Sequence, residues 1–266
     1  MNFSVFVINL DKDIERLAHI DDVLNGKGLA FTRVPAVFGA QLTDQQKGFY
    51  RSGGRNALSA GEVGCMLSHI KAWKMAAASK NEFSLILEDD IHFCSGFNDF
   101  ISDFNRVVDS GEIVIHKIET MLATVTLDRG PKYQSGRFRA YNLISDHGGT
   151  AAYIINRPTA KWLLQQKDKL RLPVDLELFD PDRRNIPQVD VYQWISPLCI
   201  QDELLDGRFT SNIVERFECI EDTSTLRGRV VYYLKSLFRP IYVWFYSLLL
   251  LPGGRFRKTL IWQDRP

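Results

Sequence analysis

Short apolar runs separated by polar or amphipathic stretches recur along the chain, the pattern of a sheet covered by helices. Phe3 to Leu10 is a compact apolar run and reads as a buried strand. Asp11 and Asp13 follow and can cap a helix running through Asn25, which Gly26 and Gly28 terminate. Phe31 to Val37 gives a second strand with Pro35 at its end, completing a βαβ unit and the opening of an open parallel sheet. Gln41 to Ala57 is polar, carries Gly48, Gly53 and Gly54, and reads as a mobile loop.

Ser59-Ala60-Gly61-Glu62 is a capping box, in which serine hydroxyl and glutamate satisfy each other's free backbone N–H groups. The helix it opens should reach about Ala78, with Glu62, Met66, His69 and Trp73 on one stripe. A stripe mixing Glu and His with Met and Trp is either a cap beside a buried histidine or a ligand-facing surface. Next come a strand at Ser84 to Leu87, a helix from about Phe97 to Val108, and a strand from Ile113 to Ile118 that ends at Glu119. Thr124 to Arg139 reads as a hairpin with Gly130-Pro131 in the turn. His147-Gly148-Gly149-Thr150 precedes a strand at Ala151 to Ile155, and Pro158 opens a helix near its first position. Strands near Val189 to Tyr192 and Leu198 to Ile200 follow, and there is no internal repeat.

Chemistry enters at Leu87-Glu88-Asp89-Asp90, where an apolar strand stops in three consecutive carboxylates. Adjacent acids repel and need positive charge nearby. At the C-terminal end of a strand in an open α/β sheet, they stand where ligands bind. A hard divalent cation, Mg²⁺ or Mn²⁺, favours carboxylates together with phosphate oxygens. The competing reading is an acidic surface turn.

With 266 residues, 45% hydrophobic and 12% aromatic, the chain is a well-cored protein of one large α/β domain with an appendage, or two modest domains. Net charge is +1, but Thr223 to Gln263 holds seven basic residues and no acid, which leaves −6 for the remainder. An acidic body without a nucleic-acid-binding motif argues against nucleic acid as a partner. Cys65, Cys94, Cys199 and Cys219 form no CxxC pair and no histidine spacing suited to zinc, so reduced thiols in a cytosolic protein are expected. Met1-Asn2-Phe3-Ser4 runs straight into a strand, and no signal peptide is expected.

The ordered set of segments resembles glycosyltransferase family 25, the lipopolysaccharide and lipooligosaccharide glycosyltransferases. The matching pieces are Val7-Ile8-Asn9-Leu10 with Arg16, Phe31 with Ala36-Val37-Phe38-Gly39, and Leu58 through Glu62 leading into Leu67-Ser68-His69 and Trp73. Leu87 through Asp90, Ile118-Glu119-Thr120-Met121, His147 through Ile155, Pro173-Val174-Asp175, and Ser196-Pro197 to Gln201-Asp202 complete it, over roughly residues 1 to 205. The resemblance implies a GT-A-type α/β fold, a mostly parallel open sheet with flanking helices. It also implies inverting transfer of a hexose, galactose or glucose, from a UDP-sugar to a glycolipid saccharide acceptor. The acidic motif looks like a variant of the family's metal-binding element, with Glu88 in place of the usual first aspartate.

On that resemblance the divalent ion is assigned to Asp90, helped by Glu88 or Asp89. Nucleotide-sugar contacts are expected from Ile8, Asn9, Leu10, Arg16, Val37, Gly39, Ser68, His69, Glu88, Asp89, His147, Gly149 and Thr150. An inverting displacement needs a carboxylate opposite the leaving group. Asp175, after a strand stop at Leu172-Pro173, is the first candidate base, with Glu119 and Asp202 as rivals. Residues 1–222 would form the transferase domain. Residues 223–266, basic and aromatic with an apolar stretch from Ile241 to Leu251, would associate with an anionic membrane surface without spanning it, at the cytoplasmic face of the inner membrane. The alternative from another class is a catalytically silent nucleotide-sugar-binding or scaffold subunit of a glycolipid assembly complex.

Overall fold

The computed structural model describes residues 3–51, 58–109, 111–211, 213 and 255–262. In chain order the elements are β1 (Phe3–Asn9), α1 (Ile14–Asn25), β2 (Thr32–Pro35), α2 (Asp44–Arg51), α3 (Ala60–Ala78), β3 (Phe83–Glu88), β4 (Ile91–Phe93) and α4 (Phe97–Val107). They continue as β5 (Val114–Lys117), β6 (Glu119–Thr120), β7 (Thr124–Leu127), β8 (Tyr133–Ser135), β9 (Phe138–Asn142), β10 (Ala152–Asn156) and α5 (Arg157–Gln166). The last are α6 (Val174–Phe179), β11 (Asp190–Ile195), β12 (Cys199–Gln201) and β13 (Phe256–Thr259).

Eight strands form one sheet in the order β2-β1-β3-β10-β5-β11-β9-β8. From the pairings, β2, β1, β3, β5, β11 and β8 run one way and β10 and β9 the other, so the sheet is mostly parallel. The expected opening βαβ unit is present, with β1 parallel to both β2 and β3. Side-chain alternation along each strand divides the core in two. On one face Phe6, Ile8, Ile86, Tyr153 and Ile155 pack against α3, α5 and α6; on the other Phe3, Val5, Val7, Leu85, Leu87 and Ile154 pack against α1 and α4. Each such side chain removed from water contributes about 1.5–3 kcal/mol, and that double burial holds the sheet's C-terminal edge rigid. In α4 the spacing Phe97, Phe100, Ile101, Phe104 places three rings and one isoleucine inward. The capping box on α3 forms as expected: the Glu62 amide donates to the Ser59 hydroxyl at 3.2 Å and the Ser59 amide to the Glu62 carboxylate at 2.9 Å.

Four expectations need correction. Asp13 sits at the N-cap of α1 but makes no side-chain cap there; its carboxylate pairs with Lys12 at 3.2 Å. The polar segment expected as a loop contains α2, because Thr43 and Gln46 form a second reciprocal cap, amide to side-chain oxygen in both directions. Residues 52–57 of that segment lie outside the described residues. The hairpin is tighter than expected: β8 and β9 turn at Gly136, while β7 pairs instead with β13 across about half the chain. A strand does not stop at Leu172-Pro173; Pro173 is the N-cap position of α6.

A smaller sheet, β4-β12-β6, sits beside the main one. Residues 255–262, the end of the segment expected at a membrane, lie against the body: Leu260 is buried and its carbonyl accepts from the Thr120 hydroxyl at 2.7 Å. Residues 214–254, which hold most of that segment, lie outside the described residues. Among the described residues no helix is long and apolar enough to cross a membrane.

Candidate active site

The C-terminal ends of β1, β2 and β3, the start of α3 and the chain entering β10 enclose a cleft of about 720 Å³. Ile8, Asn9 and Leu10 line it from the end of β1, and Val37, Phe38 and Gly39 from the chain leaving β2. This exit loop lies directly on α3: a Cβ on Gly39 would stand 2.1 Å from the Ala60 carbonyl oxygen, and one on Gly64 would stand 2.5 Å from that of Val37. Ser68 locks the contact, its hydroxyl accepting from the Val37 amide at 2.8 Å and donating to the Gly64 carbonyl at 2.7 Å.

The three acids diverge from the end of β3. Glu88 turns toward α3 and β10, accepting from the Thr150 hydroxyl at 2.8 Å and facing His69 Nε2 at 3.4 Å. Asp89 turns toward β1 and accepts from the Asn9 amide at 2.7 Å. Arg16 supplies the required positive charge, its Nη1 lying 3.0 Å from Asp89 and 3.2 Å from Asp90. Asn9 is in turn held by Arg33, which donates to its side-chain oxygen at 2.8 Å. Burial and the adjacent Glu88 charge push the Asp90 carboxyl up to about 7, against the pull of Arg16. Among the described residues, Asp90 Oδ1 is buried and has no hydrogen-bond partner. An orphaned acceptor beside further carboxylate oxygens is the donor set a hard divalent cation takes.

The stripe on α3 resolves into two roles. Met66 and Trp73 belong to the core, whereas Glu62 and His69 line the cleft. His69 is fully buried; its Nδ1 lies 2.9 Å from the Tyr153 hydroxyl, which also receives the Trp73 indole N–H at 2.8 Å.

The facing wall is Gly148-Gly149-Thr150 with Asp175. Because β10 runs opposite to β3 and β5, its entry meets their C-terminal ends at one edge. The Gly149 amide donates to Asp175 Oδ2 at 3.2 Å and the Leu176 amide to Oδ1 at 2.9 Å. Gly149 has φ +83, and a Cβ there would come within 2.9 Å of the Met121 sulfur. Behind it lies a buried pair, Lys117 and Glu119.

Three expected site residues are turned away from this cleft. Glu119 is fully buried, accepting from Lys117 at 2.6 Å and from the Ala151 amide at 3.1 Å. Asp202 accepts from His92 at 2.9 Å and the Phe209 amide at 2.7 Å. Burial works to raise its carboxyl, but these bonds outweigh it and hold the group below its ordinary value. His147 has both ring nitrogens engaged, by Gln193 at 2.8 Å and the Met121 amide at 3.3 Å, and burial keeps it neutral. The other expected residues, Arg16, Val37, Ser68, His69, Glu88, Asp90 and Thr150 among them, line one cleft.

Sequence reasoning missed Cys65, Glu203 and Phe38 as lining residues. Cys65 had a signal: it precedes His69 by four positions on α3 and so shares its face. Glu203 enters from a single 3-10 turn, which carries no periodicity.

A family model described as "Glycosyltransferase family 25 (LPS biosynthesis protein)" matches residues 2–178. The lacto-N-neotetraose biosynthesis glycosyltransferase LgtE of Neisseria gonorrhoeae is 29% identical over 218 residues, 77% of this chain and 76% of that one. LgtB of Neisseria meningitidis serogroup B, of the same description, is 31% identical over 209 residues, 74% of each chain. A putative glycosyltransferase of Haemophilus influenzae is 26% identical over 217 residues, covering 79% of this chain and 75% of that one.

Proposed function

Because the chain belongs to glycosyltransferase family 25, we propose that it moves a hexose, galactose or glucose, from a UDP-sugar to a lipooligosaccharide or lipopolysaccharide core acceptor, with inversion and with a divalent cation. One observation carries the reading. The cleft joins an orphaned carboxylate oxygen on Asp90 to the half-buried Asp175 carboxylate on the facing wall.

Asp90 with Glu88 would hold Mn²⁺ or Mg²⁺, which when bound neutralises charge developing on the diphosphate leaving group. The chain's own residues set up the rest. Arg16 holds Asp89 and Asp90 in place and partly offsets the burial that raises both carboxyls, and Asn9, braced by Arg33, fixes Asp89. The loop of Val37 to Gly39 and the Ile8-Asn9-Leu10 strand end supply a backbone-lined slot for base and ribose. Asp175 takes the proton of the acceptor hydroxyl as its oxygen bonds the anomeric carbon and the bond from that carbon to the phosphate oxygen breaks. Of the three candidate bases it alone lines the cleft, since Lys117 holds Glu119 and His92 holds Asp202.

Membrane association rests on the basic residues Arg227, Arg229, Lys235 and Arg239, each worth about 1 kcal/mol at an anionic surface. Truncation is the wrong test of it, because β13 and Leu260 belong to the body. Replacing those four residues with glutamine should release the full chain from vesicles rich in anionic lipid; unchanged sedimentation rejects the assignment.

The deciding measurement is UDP release from a panel of UDP-sugars, with Mn²⁺ or EDTA, with and without a truncated core acceptor. Metal-dependent release from one donor supports the enzyme and names the sugar. Tight UDP binding with no release from any donor favours the silent binding subunit.

A further inference from the structure

A thiol and an imidazole stand in the cleft beside the Glu88 carboxylate, a donor set that a hard cation does not favour. Cys65 Sγ, a His69 ring nitrogen and a Glu88 carboxylate oxygen all lie within 4.8 Å of one another. Cys65 and His69 stand four residues apart on α3 and therefore project side by side. Glu88 comes to them from the end of β3. We propose that these residues form a second cation site, for a thiophilic divalent ion such as Zn²⁺, which shares Glu88 with the one assigned to Asp90 but does not use Asp90 itself.

The second observation is His69 Nε2. The ring is fully buried, and among the described residues Nε2 makes no contact with a polar partner closer than its 3.4 Å approach to Glu88 Oε1. A buried, unsatisfied ring nitrogen is costly unless something else takes its lone pair. The other nitrogen is already arranged as in metal-bound histidines, with Nδ1 held by the Tyr153 hydroxyl at 2.9 Å and that hydroxyl fixed by Trp73. In the tautomer that donates Nδ1–H to Tyr153, Nε2 presents its lone pair toward Cys65 and Glu88.

The donor types select the ion. Thiolate and imidazole suit Zn²⁺, whereas Mg²⁺ and Mn²⁺ prefer oxygen. Zinc bonds of about 2.0–2.3 Å place tetrahedral ligand atoms roughly 3–4 Å apart, so the histidine–glutamate separation already fits and the thiol needs only a small closing movement. On binding, the Cys65 thiol gives its proton to solvent and leaves its contact with Thr150. Three protein ligands leave a fourth position open to water.

The test uses the full chain and the metals alone. Wild type titrated with Co²⁺ should show a thiolate charge-transfer band and the intense visible bands of tetrahedral cobalt, and Zn²⁺ should abolish both. Cys65→Ser should lose the charge-transfer band and bind Zn²⁺ at least tenfold more weakly, and His69→Gln should weaken binding similarly. Asp90→Asn should retain both the spectrum and the Zn²⁺ affinity. Cys65→Ala provides a second variant should the serine disturb folding, with thermal melting as the check. Unchanged Zn²⁺ affinity in Cys65→Ser and Cys65→Ala, or a cobalt spectrum without the thiolate band, overturns the proposal. No sugar donor enters the experiment, so its outcome is separate from that of the transferase reading.

Discussion

Lys117 Nζ lies 2.6 Å from Glu119 Oε1, and neither side chain reaches solvent. The ammonium also donates to the Gly149 carbonyl and sits 3.8 Å over the Phe179 ring. A buried pair of this kind braces the glycine turn that carries one wall of the cleft. Replacing Lys117 by methionine should therefore cost about 3–5 kcal/mol, because Glu119 is left buried and uncompensated. Denaturant unfolding of Lys117→Met against Lys117→Met/Glu119→Leu checks this: the double variant should regain most of the loss. Additive losses would show that the pair is not coupled.

The same pair sets a pH dependence. Burial pushes the Glu119 carboxyl up to about 7, with Lys117 only partly opposing it. Between the ordinary carboxylate value and about 7 the native state thus holds a proton that the unfolded chain releases, so this group's contribution to stability falls as pH rises through that window. Glu119→Gln removes the titration. Melting temperatures taken from pH 5 to pH 8 should show wild type losing ground relative to Glu119→Gln up to about pH 7 and holding level above it. Wild type gaining on Glu119→Gln as pH rises contradicts the sign.

Glycine positions give a prediction of opposite signs. Gly39→Ala forces a methyl onto the Ala60 carbonyl, and backbone cannot yield as a side chain does; the cost should be about 1–3 kcal/mol or more. Gly48 sits exposed in α2 with open space around it, and Gly48→Ala should stabilise by about 0.5–1 kcal/mol. Thermal melts of the two variants settle both.

Asp175 and Asp90 should separate kinetically. As proton acceptor, Asp175→Asn should lower kcat about 100-fold or more while UDP binding in Mn²⁺ stays near wild type. Asp90→Asn should remove the metal dependence of UDP binding itself. Full turnover in Asp175→Asn would return the base to an unassigned group.

Much of the site was readable in one dimension. The capping box on α3 and the acids at the end of β3 follow from local patterns, the Val37–Gly39 segment from the family resemblance, and the structure brings them to one cleft. The second cap, Thr43 with Gln46, is equally readable in the sequence but lies in a polar, glycine-containing stretch whose composition is that of a loop. Lys117 and Glu119, two apart on one run, share a strand face and were also open to recognition as a pair.

What the sequence by itself determined was local: which runs are strands, where helices begin, and that three acids end β3. These follow from periodicity and capping, which act over a few residues. Only the tertiary structure decided which carboxylates face the cleft. Asp175, Glu119 and Asp202 look alike along the chain, but Lys117 draws Glu119 inward, and His92, far away in sequence, holds Asp202. It also decided that β7 pairs with β13 rather than with β8, and that Cys65 meets Glu88. Charge compensation and strand pairing depend on partners that neighbour one another only in the folded chain, and no local pattern carries their positions.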